Sequence, residues 1–143
     1  MNLETNQLVK KAKTTEIEIF VINKVKEYRI KLGYKKRQLS LELRLAHNHV
    51  YKIESPKYTT KYNLNQLNEL AKIFGCTIAD FMPKPYVETD TIEEYMELHP
   101  RIKAKYEQQQ RELDEKMRKK EEEKERKKKE KAAAKAKTKA KKK

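Results

Sequence analysis

Apolar residues recur at helical intervals along the first part of the chain and become sparse after about residue 107. Ile17, Val21, Val25, Tyr28 and Leu32 follow at steps of four, four, three and four, which puts them on one helical face. Thr15 with Glu18 has the spacing of a capping box at the start of that helix, and Gly33 ends it. A second helix is predicted over 36–43, with Leu39 and Leu43 inward. A third over 47–54 buries Val50 and Ile53. Asn63 caps a fourth, whose inner face is Leu64, Leu67, Leu70, Ala71 and Phe74 and which stops at Gly75. Thr77 with Asp80 begins a fifth, short turn holding Ile78, Phe81 and Met82. No alternating segment is long enough for a strand. The expected fold is therefore all-α, a five-helix domain over 15–82.

Either side of this domain the pattern fades. Residues 1–14 are expected to be a flexible N-terminal segment. Met82-Pro83-Lys84-Pro85 opens a linker over 83–100, in which Thr91 with Glu94 caps a short acidic helix through Leu98. Pro100 is suited to begin the next helix. From Arg101 the chain lacks Gly and Pro and is rich in good helix formers, with Glu107–Arg111, Glu112–Lys116, Glu122–Arg126, Glu123–Lys127 and Glu125–Lys129 spaced for ion pairs. An exposed charged helix over 101–130 follows. Ile102, Tyr106, Leu113 and Met117 form a thin apolar stripe, but Gln109 and Lys116 interrupt it, so a coiled-coil dimer is the second reading. Residues 131–143 hold seven Lys, five Ala and one Thr, and are expected to be a disordered tail.

Composition narrows the class. The chain has 143 residues, 36 Lys+Arg against 22 Asp+Glu, a net charge of +14 and 41% charged residues. One modest core fits that length, and a large multidomain enzyme does not. The charge is uneven: residues 15–82 carry 12 basic and 7 acidic groups, whereas residues 105–143 carry 18 and 9. A polyanionic partner is expected. No apolar run approaches the roughly 18 residues that cross a bilayer, and the first residues lack a hydrophobic signal core, so a cytoplasmic, nucleoid-associated protein with no membrane partner is expected. The single cysteine, Cys76, reads as a small core hydrophobe. No nucleophile–base pair or phosphate-binding Gly loop appears, so neither catalysis, a cofactor nor a small-molecule substrate is expected. His47 and His49 are two apart and point to different helix faces with no acidic or cysteine ligand beside them, so no metal is expected.

The run Val25 to Glu54, including Tyr28, Leu32, Gly33, Leu39, Ser40, Leu43, Ala46, Val50 and Ile53, resembles the helix-turn-helix of the phage lambda-repressor-like, Cro-type DNA-binding family. Residues 64–75 and 77–81 resemble its fourth and fifth helices. The family's usual small Ala is Ser40 in this chain. Arg44 stands where Gly is common and must take a left-handed backbone or mark a different turn.

The resemblance implies a sequence-specific, repressor-like transcriptional regulator of double-stranded DNA, a homodimer on a palindromic site, with its third helix in the major groove. Base contacts would then fall to His47, Asn48 and Lys52, since Asn suits adenine and Lys the acceptors of guanine. Backbone contacts would fall to Lys35, Lys36 and Arg37, with His49, Lys57 and Lys61; Tyr58, Thr59 and Tyr62 add hydroxyls to the loop. Three cations at a helix start repel its dipole unless an anion approaches. Arg29 and Glu54 match a structural ion pair. The alternative is a nonspecific nucleic-acid packaging or RNA-associated protein dominated by the basic tail.

Overall fold

A computed structural model describes residues 11–141. Regular structure among them is all helical, and the chain divides into two units, Met1–His99 and Pro100–Lys143. The first holds α1 (Glu16–Lys31), α2 (Lys36–Glu42), α3 (His49–Glu54), α4 (Leu64–Phe74), a 3-10 turn (Ile78–Phe81) and α5 (Thr91–Leu98). The second is α6 (Pro100–Lys141).

Local chemistry sets most of these boundaries. The Glu18 carboxylate accepts the Thr15 N–H at 3.1 Å and so supplies a partner at the start of α1. Gly33, at φ +79°, lets the chain reverse after α1, and the Tyr34 N–H returns to the Arg29 carbonyl at 2.9 Å. Asn63 and Gln66 cap α4 reciprocally, each side chain accepting the other's N–H at 2.8 and 3.0 Å. Gly75 ends α4 in the left-handed conformation.

Val25, Leu39, Val50, Ile53, Leu70 and Phe81 are fully buried, so α1 to α4 and the 3-10 turn each contribute to the interior. The Tyr28 ring stacks on Phe74 at 5.9 Å and meets the edge of Phe81 at 5.6 Å, which closes one end of the core with aromatic contacts. Cys76 is half-buried and packs against this core.

The Arg29 guanidinium fixes how the helices meet. Its Nε and Nη2 donate to the two carboxylate oxygens of Glu54, both at 2.8 Å, and Nη1 donates to the Tyr34 carbonyl at 2.9 Å. One side chain thus joins the end of α1, the loop before α2 and the end of α3. The Glu54 side chain is 2% exposed, so the fork lies where solvent screening is weak.

Several expectations are corrected. The third helix starts at His49 rather than at residue 47, because Asn48 (φ −102°, ψ 8°) serves as the N-cap residue and His47 lies in the turn before it. Leu64 was expected inward but is 75% exposed; it is the first residue of α4, which there projects beyond the core. The α5 cap is Asp90, whose carboxylate accepts the Glu93 N–H at 3.0 Å. Glu94 instead accepts the Glu16 N–H at 2.9 Å, and the Thr89 hydroxyl donates to the Glu16 carboxylate, so part of the linker is tied to the start of α1.

The ends differ as well. Residues 11–14 of the expected flexible segment are folded, with Lys11 and Thr14 buried, while residues 1–10 lie outside the described residues. The Lys/Ala tract is helical through Lys141, since Ala and Lys propagate a helix and no Gly or Pro stops it. Along α6, Glu123–Lys127 closes at 3.2 Å as its spacing predicts. Lys119–Glu115, Arg118–Glu122 and Arg126–Glu130 pair as well, at 3.5, 3.9 and 3.9 Å.

The Arg29 fork gives a stability test. Arg29→Ala strands a buried carboxylate and is expected to cost about 3–5 kcal/mol in urea unfolding. Lys24→Ala removes an exposed pair with Glu27 and is expected to change stability by no more than about 0.5 kcal/mol. Equal losses would show that the fork does not organise the domain.

Candidate nucleic-acid interface

α2 has seven residues and α3 six, too few for either to persist alone. A buried hydroxyl joins them. Ser40 is fully buried; its Oγ donates to the Lys36 carbonyl at 2.8 Å and accepts the Val50 N–H at 3.0 Å. Val50 is the second residue of α3, so its otherwise unpaired N–H is satisfied from α2 and not by the residue at the cap. Asn48 occupies that cap position, yet its side chain makes no bond to the α3 backbone.

Between the two helices the chain turns at Arg44, which takes φ +58°. Its N–H returns to the Leu41 carbonyl and that of Leu45 to the Ser40 carbonyl, both at 2.9 Å. The left-handed residue thus costs on the order of 1 kcal/mol and places α3 across α2.

The far end of α3 is held by a residue from before α1. The Lys11 ammonium donates to the carbonyls of Lys52 and Ser55 at 3.0 and 2.8 Å, capping the last turn of α3. Burial, with the Lys61 charge adding, holds the Lys11 pKa below its ordinary value.

The residues assigned to DNA fall into two groups. Lys35, Lys36 and Arg37 begin α2, His47 and Asn48 lie in the turn, and Lys52 is on α3. Lys35, Arg37, His47 and Lys57 are exposed, and Lys36, Asn48 and Lys52 are half-buried. The Lys36 ammonium sits 5.5 Å from the centre of the Tyr51 ring and that of Lys52 sits 5.6 Å from the Tyr58 ring. These two rings meet edge-on at 6.4 Å, and both are well exposed.

The second group turns elsewhere. Lys61 is paired with Glu18 at 2.8 Å, so a carboxylate already occupies the cation expected on phosphate. Against the burial that would raise it, hydrogen bonds from Lys61 and Thr15 hold the Glu18 pKa below its usual value. The Tyr62 hydroxyl is buried with no hydrogen-bond partner, and burial, reinforced by the Glu54 charge, drives its pKa far above the tyrosine range. It cannot serve as a donor to a backbone outside. His49 also points in: its Nε2 is buried without a partner, and burial, with the Lys52 charge second, lowers its pKa. A backbone-contact role for His49 is withdrawn on that ground.

Three features escaped the sequence. Ser40 reads there only as a small residue, Lys11 lies 41 residues from its first acceptor, and Tyr51 is an aromatic on an otherwise polar helix face. Only Tyr51 carried a signal, a large ring between the polar positions 48 and 52 and out of step with inward Val50 and Ile53.

Among the described residues, no group of three His, Cys, Asp or Glu side chains is arranged to hold a metal, and no helix is long and apolar enough to cross a membrane. Comparison with protein-family models, curated proteins and solved structures finds no match.

His49 sets a pH dependence. Its folded pKa lies below the ordinary 6.5, so the unfolded chain takes up a proton first as the pH falls. The contribution is fully present above pH 6.5 and is lost below it. Urea midpoints at pH 7.5 and pH 5.5 should differ less in His49→Gln than in the wild-type chain. An unchanged difference would place the proton uptake elsewhere.

Proposed function

We propose that α2, the turn and α3 form a helix-turn-helix that reads double-stranded DNA, and that the chain is a repressor-like transcriptional regulator. The observation that carries this is the Ser40 bridge, which caps α3 from within and leaves the Asn48 amide unengaged by the helix it begins. An amide at this place can make two bonds to the edge of adenine in the major groove. Lys35, Lys36 and Arg37 lie on the adjoining helix start, where positive charge with no acidic residue in the first turn favours phosphate. His47 and Lys52 flank Asn48 and complete the base-facing set.

α6 contributes differently. Its last turns, from Lys131 to Lys141, contain lysine and no acidic residue, so they attract any phosphate backbone without reading its sequence. This run of lysines on a continuous helix favours the second reading, a packaging or RNA-associated protein in which the folded domain is an adaptor.

Selection of duplexes from a random pool by the full-length chain separates the two. Regulation requires enrichment of a defined sequence; equal recovery of all duplexes would overturn it. On the enriched duplex, Asn48→Ala should lose about 1–3 kcal/mol of discrimination at particular base pairs. Lys36→Ala should weaken all duplexes alike and lower the salt slope by about one. Indistinguishable effects of the two substitutions would contradict the division between base and phosphate contacts.

A further inference from the structure

Tyr51 is 50% exposed and Tyr58 40% exposed, and the two rings meet edge-on. Each carries a lysine: Lys36, the first residue of α2, lies over Tyr51, and Lys52 of α3 lies over Tyr58. The four side chains come from two helices and the loop after α3, and form one continuous row of cation, ring, ring and cation. These are the two lysines to which the DNA-reading proposal gives different tasks.

A neutral ring holds an ammonium differently from a carboxylate. Glu18 fixes Lys61 and cancels its charge. A ring face attracts the cation through its quadrupole and offers at most a weak N–H···π contact in place of an oxygen acceptor, so the ammonium donors stay largely available. The flexible four-carbon stem is meanwhile restrained, which removes part of the ordering cost that a lysine otherwise meets on binding.

We propose that Tyr51 and Tyr58 are positioning residues that poise Lys36 and Lys52 for DNA. Tyr51 acts through Lys36 on affinity for every duplex, and Tyr58 acts through Lys52 on preference among duplexes. The proposal rests on the DNA-reading function above, and neither ring needs to touch a base.

The test uses the full-length chain, the enriched duplex and a scrambled one, with binding followed by fluorescence anisotropy. Leucine keeps apolar bulk and removes the ring face, while phenylalanine keeps the face and removes the hydroxyl. Tyr51→Leu should weaken both duplexes equally, by roughly two- to fivefold, and Tyr58→Leu should narrow the ratio between them by a similar factor. Both Phe variants should stay close to wild type. Tyr51→Leu should add nothing in a Lys36→Ala background, nor Tyr58→Leu in Lys52→Ala.

Phe variants as weak as the Leu variants, or Leu effects that persist in the alanine backgrounds, would overturn the tyrosine roles. A measurement on the unaltered protein stands beside these: ring currents should shift the Lys36 and Lys52 ε-methylene protons upfield in NMR spectra. Unshifted resonances would overturn the proposal even if a Leu variant failed to fold. A wild-type chain that bound both duplexes alike would overturn the DNA-reading function and the Tyr58 role with it. Preference retained without the coupling pattern would overturn the tyrosine roles alone.

Discussion

The hydroxyl of Ser40 is the smallest group on which the domain depends. Two helices of seven and six residues gain little from their own hydrogen bonds, because nucleation costs most of what so few turns return. Ser40 binds the first turn of one to the first turn of the other and does so with no exposure to water. Removing its oxygen would leave the Val50 N–H buried without an acceptor, a loss larger than the net value of the bond. At the opposite end, Glu54 receives the Arg29 fork and the carbonyls of Lys52 and Ser55 receive Lys11. α3 is thus held at both ends by residues outside itself, while Asn48 before it makes no side-chain bond to its backbone.

Cations in this chain divide by what restrains them. Arg29 and Lys61 are matched to carboxylates, and Lys11 is spent on backbone carbonyls; these three hold the domain together. Lys36 and Lys52 rest on rings. Lysines of the last turns of α6 have no acidic residue in their tract. The net charge of +14 therefore contains cations bound into the fold, cations set against rings and cations in a tract without acids. Composition alone could not separate them.

What could be read from the sequence was what a few neighbouring residues decide. Thr15 with Glu18, the Asn63 cap and Gly75 after Phe74 are all local, and the apolar spacing of α1 and α4 located most of the core face, although Leu32 and Leu64 at the helix ends are exposed. The left-handed backbone at Arg44 was one of two outcomes that the family resemblance left open. Pairings across the fold were not legible. Ser40 to Val50 spans ten residues and Lys11 to Ser55 spans 44, and neither serine nor lysine has a spacing rule that would announce them. Arg29 with Glu54 came only from the family resemblance. Local competition also misled: Asp90 and Thr91 are both good caps, and the carboxylate took the place. The Lys/Ala tract looked disordered because it cannot build a core, but a helix needs only propensity and the absence of a breaker.

We propose that DNA meets this chain at α3 and the turn before it. Backbone amide shifts of the isotope-labelled full-length protein, followed during titration with its enriched duplex, test that claim most directly. The largest changes should cluster at residues 35–37, 47–52 and 57–58, with little change in α4. Changes confined to α6, with 47–52 unmoved, would contradict it.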